Sequence, residues 1–74
     1  MPKLPVVSGA EVVKVLTKAG WQFARQRGDH VTLVKSGSIY IITVPMKREI
    51  KKGLLSDIIK EAGLSVDQFN ELLE

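Results

Sequence analysis

Twice along this chain the spacing of apolar residues changes. Val12, Val13, Leu16 and Ala19 recur at helical intervals, as do Leu54, Leu55, Ile58, Ile59 and Ala62. Between the two sets, the stretch from Trp21 to Val44 is rich in β-branched and aromatic residues and is broken by glycines. A helix buries one stripe at a period near 3.6, whereas a strand turns alternate residues to opposite faces. Seventy-four residues suffice for one small core, so both kinds of element must share it. The expectation is a single domain over 1–74 of the α+β class.

The element ends are marked locally. Ser8-Gly9-Ala10-Glu11 has the form of a capping box and opens a helix that runs to about Ala19, with Gly20 as its stop. Trp21 to Arg27 reads as a first strand, Gly28-Asp29 as a tight turn, and His30 to Lys35 as a second strand. Lys35-Ser36-Gly37-Ser38 is a second turn. Ile39 to Val44 is the strongest strand signal, ended by Pro45. Met46 to Lys52 is a charged loop. A second helix starts near Gly53 with Leu54, Leu55, Ile58, Ile59 and Ala62 inward, and Gly63 caps it. Ser65-Val66-Asp67-Gln68 repeats the capping box before a short helix carrying Phe69, Leu72 and Leu73. The order α-β-β-β-α(-α) predicts a three-stranded antiparallel sheet with helices on one face. This is a double-stranded-RNA-binding-domain-like layout, with the other face open to solvent or a partner.

Composition narrows the chemistry. Without cysteine there is no disulfide or thiolate metal site, and one histidine is too few for a multi-histidine zinc site. No cofactor or metal is therefore expected. No apolar run is long enough to span a bilayer, and Met1-Pro2-Lys3-Leu4-Pro5 does not resemble a secretory signal, so the protein reads as cytoplasmic with no membrane role. Residues 1–63 carry eleven bases against five acids, a net of +6, while residues 64–74 carry three acids and no base. A basic body with an acidic tail fits a polyanionic partner, or simply a solvated surface.

His30 is the one good proton carrier near neutral pH. At a strand start beside a turn, it is either an idle surface residue or a catalyst. If Gly28-Asp29 is a two-residue hairpin turn, Arg27 opposes His30 and Arg25 opposes Thr32, so all four share a face. One extra turn residue would send His30 to the other side. Cleavage of an RNA backbone needs a group that takes the 2′-hydroxyl proton and positive charge against the phosphorane. His30 with Arg25 and Arg27 meets both needs, but no second proton carrier is evident as the general acid. Lys47, Arg48, Lys51 and Lys52 lie in a loop leading to a helix N-terminus, where they either hold phosphates or form a solvated loop. Trp21 and Phe23 read as packing residues; Tyr40 could pack or stack on a base.

Several segments together resemble one known family. They are Ser8 to Leu16, Ala19-Gly20-Trp21, Arg25 to His30, Ile42-Thr43-Val44-Pro45, and Lys52 to Leu64. In this order and spacing the chain resembles the HicA toxins, the YcfA-like family of HicAB toxin–antitoxin systems. The resemblance implies a double-stranded-RNA-binding-like fold, metal-independent cleavage of messenger RNA, and neutralisation by a HicB antitoxin that covers the active site. His30 fills the position of the family's catalytic histidine. Two positions depart from the pattern. Asp29 stands where serine is usual, and could orient His30 or repel RNA. Met46-Lys47-Arg48 lacks the histidine that many members carry after the third strand. A messenger-RNA endoribonuclease is the expectation, with a non-catalytic RNA-binding or protein-interaction module as the alternatives. A sheet edge that pairs two copies into a homo-oligomer stays open.

Overall fold

The computed structural model describes residues 3–74. The elements run α1 (Gly9–Lys18), β1 (Gln22–Arg27), β2 (His30–Val34), β3 (Ile42–Pro45), α2 (Lys52–Glu61) and α3 (Val66–Leu73). The strands form an antiparallel sheet in the order β1-β2-β3. This is the α+β layout expected from the two changes of period.

Both capping boxes form. Ser8 Oγ accepts from the Glu11 N–H and the Glu11 carboxylate accepts from the Ser8 N–H; Ser65 and Gln68 do the same for α3. Each satisfies donors that the first helical turn otherwise leaves unpaired. Ser8→Ala is expected to cost about 1 kcal/mol, read as a lower melting temperature with the fold unchanged. At its other end α3 is closed from a distance: Lys18 Nζ donates to the carbonyls of Leu72 and Glu74.

The core lies between the inner sheet face and the helices. Val12, Val15 and Leu16 of α1 meet Val31 and Leu33 of β2, Ile42 and Val44 of β3, Leu55, Ile58 and Ile59 of α2, and Phe69 of α3. Val31 and Leu33 are buried while His30 is exposed and Thr32 half-buried, so β2 keeps the two-residue alternation of a strand covered on one side. Trp21 follows the α1 stop, with its N–H bonded to the Leu16 carbonyl, and is buried rather than being the first strand residue.

Three expectations about packing change. Phe23, expected to pack, is 59% exposed. It sits on β1, an edge strand exposed along its whole length, next to a bulge between Phe23 and Arg25. Ile39, Tyr40 and Ile41 are not part of β3 and are exposed, Ile39 by 90%. The reason is upstream. β2 ends at Val34, the chain turns with Ser38 N–H bonded to the Lys35 carbonyl, and Lys35 Nζ reaches back to the Ala19 carbonyl. Beyond Val34 there is no strand for residues 39–41 to pair with. Leu54, expected on the buried face of α2, is 39% exposed in the first turn of that helix.

Candidate functional site

The hairpin between β1 and β2 closes with two residues. Arg27 pairs with His30, Gln26 with Val31 and Arg25 with Thr32. Gly28 has φ of 61°, and Asp29 stays at negative φ. Glycine at the first position with positive φ is the pattern of a turn that matches the right-handed twist of a hairpin. That turn fixes the register. Because Val31 and Leu33 point into the core, His30, Thr32, Arg27 and Arg25 fall together on the uncovered face.

β3 extends the same rows. His30 opposes Pro45 and Thr32 opposes Thr43, so Arg27, His30 and Pro45 cross the sheet in one line, with Arg25, Thr32 and Thr43 in the next. The β2–β3 ladder continues into the turn, where the Met46 N–H bonds the Asp29 carbonyl. The basic loop therefore leaves the sheet at the His30 end. Lys47, Arg48, Lys51 and Lys52 are all exposed. Among the described residues no arginine or lysine makes an ion pair with a carboxylate.

Asp29 touches His30, with His30 Nδ1 lying 3.0 Å from Asp29 Oδ1. Both side chains are open to solvent, at 55% and 61% exposure, so the pair adds little stability. Its effect is geometric. A carboxylate on Nδ1 selects the tautomer that keeps the proton there and leaves the Nε2 lone pair free. Such an imidazole can accept a proton from a group placed above the sheet.

The α2 N-terminus is unusual. Lys51 is its N-cap and offers no side-chain hydrogen bond, and the first turn has no acid. Lys51 and Lys52 instead add positive charge to the positive end of the helix dipole, where an anion would be favoured. The loop before α2 is tied to the N-terminal strap: Gly9 N–H donates to the Lys47 carbonyl at 2.8 Å and Ile50 N–H to the Val7 carbonyl at 2.8 Å.

Four features in and around this site escaped the sequence reading: Pro45 beside His30, Thr43 beside Thr32, the Gly9 clamp and the exposed Leu54. The long β2–β3 connection left the third strand's register free, and no local signal marked Gly9 as a contact point. No group of three or more histidine, cysteine or carboxylate residues is placed to hold a metal ion among the described residues. No helix among them is long and apolar enough to cross a membrane.

A small α+β fold with one covered and one bare, basic sheet face is the class of protein these observations define. Residues 9–64 match the family described as HicA toxin of bacterial toxin–antitoxin systems. The chain belongs to that family. It is similar to a solved chain of a toxin–antitoxin complex from Streptococcus pneumoniae, at 36% identity and a TM-score of 0.70, over 78% of this chain and 98% of that one. It is also similar to a chain of the HicA3 and HicB3 toxin–antitoxin complex, at 41% identity and a TM-score of 0.71, over 80% of this chain and 97% of that one. Among curated proteins none matches.

Proposed function

We propose that this HicA toxin binds messenger RNA and cleaves it without a metal ion, with His30 as general base. Arg25, Arg27, Lys47, Arg48, Lys51 and Lys52 hold the phosphates. The observation that carries the reading is the exposed imidazole of His30, held by Asp29 and aligned with Arg27 on the uncovered face. His30 Nε2 takes the 2′-hydroxyl proton, the 2′-oxygen attacks phosphorus, and the bond to the 5′-oxygen breaks. The guanidinium groups of Arg27 and Arg25 stabilise charge on the phosphorane. His30 is the one histidine of the sequence, and solvent water protonates the departing 5′-oxygen.

The partner is a HicB-like antitoxin. The two similar solved chains come from toxin–antitoxin complexes, and a bare basic face is a surface an acidic protein can cover.

The purified protein incubated with labelled RNA in EDTA tests the reading. Cleavage is the expected result. Binding that weakens with salt but leaves the RNA whole would instead identify a non-catalytic RNA-binding module. Absence of both would leave a protein-interaction domain. Neutralising the four bases Lys47, Arg48, Lys51 and Lys52 should flatten the dependence of log K on log salt by about 0.7 for each phosphate that the loop no longer neutralises. An unchanged slope would remove the loop from the RNA-binding surface.

A further inference from the structure

Beyond the end of β3 lies a groove of about 170 Å³ lined by Pro45, Lys47, Glu49, Ile50, Lys51 and Leu54. We propose that it holds the base of the nucleotide next to the scissile phosphate. The inference deepens the RNA-cleaving reading above and rests on it.

Position is the first argument. Pro45 lines the groove and directly opposes His30. Neighbouring strands are spaced by about 4.8 Å, so the row Arg27–His30–Pro45 spans roughly 10 Å. An RNA strand laid along this row sets a phosphate over Arg27 and His30. The next nucleotide then passes Pro45 and meets the groove.

Size and chemistry agree. The volume is well below the roughly 300–1,000 Å³ of pockets for drug-sized ligands, which suits one flat ring system. The walls are apolar: Pro45 is half-buried, Ile50 is 3% exposed, and Leu54 leaves 39% of its surface in solvent. An exposed leucine in the first turn of α2 is otherwise without a task. Lys47 and Lys51 are exposed, with no carboxylate partner among the described residues, and complement the phosphates on either side of a buried base. Glu49 is the one acid of the groove. Its carboxylate accepts hydrogen bonds only, so it favours a base edge with two neighbouring N–H donors, as guanine N1–H and N2–H provide, over uracil, whose single N3–H is flanked by carbonyl oxygens.

Binding and cutting test this separately. A short single-stranded RNA with 2′-O-methyl groups cannot undergo attack by its 2′-oxygen, so its affinity is read without cleavage. One abasic nucleotide is moved along that RNA, and affinity is measured for the parent, Leu54→Ala and Glu49→Gln. In the parent, one position should show a loss of about tenfold when its base is removed. Leu54→Ala should abolish that loss at that position alone, and it keeps a good helix former in α2. Glu49→Gln, which sets an N–H donor beside the acceptor, should let uracil replace guanine there. On unmodified RNA, the parent's cuts should lie beside one class of base and those of Leu54→Ala should spread. No position-specific loss, or the same loss in Leu54→Ala, overturns the base site. So does a Leu54→Ala variant weakened only toward the antitoxin, which would make the groove a protein contact. A parent that shows the abasic loss and its disappearance in Leu54→Ala, yet cuts nothing, keeps the base site and ends the nuclease reading.

Discussion

Replacing His30 by alanine is expected to lower the rate of RNA cleavage by about 10²- to 10⁴-fold, the usual contribution of a positioned general base. The side chain is 55% exposed, and among the described residues its charged partner is Asp29, which is 61% exposed. Loss of the ring therefore leaves the core intact, and the melting temperature should not move beyond a few tenths of a kcal/mol in equivalent stability. Initial rates on labelled RNA in EDTA, compared at matched folded fraction, decide the matter; an alanine variant as fast as the parent would remove the mechanism. Asp29→Asn refines it. A residue that orients an imidazole affects the chemical step, so a drop on the order of tenfold in kcat with KM little changed is expected. If the carboxylate instead mainly repels RNA, the asparagine variant binds more tightly and cuts at least as fast.

The second large effect is on stability. Gly9→Ala is expected to destabilise the fold by at least about 1–3 kcal/mol, the range for forcing atoms into a filled site. A Cβ at position 9 would collide with the Pro45 carbonyl oxygen and lie 2.9 Å from Met46 Cα. Both neighbours are backbone, so neither can yield as a flexible side-chain end would. Relief requires α1 and the β3 end to separate, which stretches the hydrogen bond from Gly9 N–H to the Lys47 carbonyl. In a domain of this size each kcal/mol shifts the melting temperature by roughly 4–8 °C. A thermal melt of Gly9→Ala that overlays the parent would contradict this close approach of α1 to the end of β3. The same strain displaces Pro45 and Lys47, so cleavage should fall even in the fraction that stays folded.

Much of the candidate site's geometry was legible because it is short-range. A two-residue turn sets which residues of β1 oppose those of β2, and the inward pull of Val31 and Leu33 then decides the face. The grouping of Arg25, Arg27, His30 and Thr32 follows from a dozen consecutive residues. Nothing local fixed β3. Seven residues separate β2 from β3, and a connection of that length permits several registers, so Pro45 could not be placed beside His30 beforehand. Hydrophobicity also misled where coverage decides. Phe23, Ile39 and Leu54 have the character of core residues, but an edge strand, a loop and a helix shoulder leave them facing water.

The amino-acid order alone determined the six elements, the two capping boxes and the hairpin that brings His30 to Arg27, since each depends on interactions within a few residues along the chain. Tertiary packing decided how far β3 extends, which apolar side chains stay outside, and how Gly9 locks the basic loop against α1. Those outcomes depend on which surfaces meet after the chain closes on itself, and the meeting of distant segments leaves no local pattern to read.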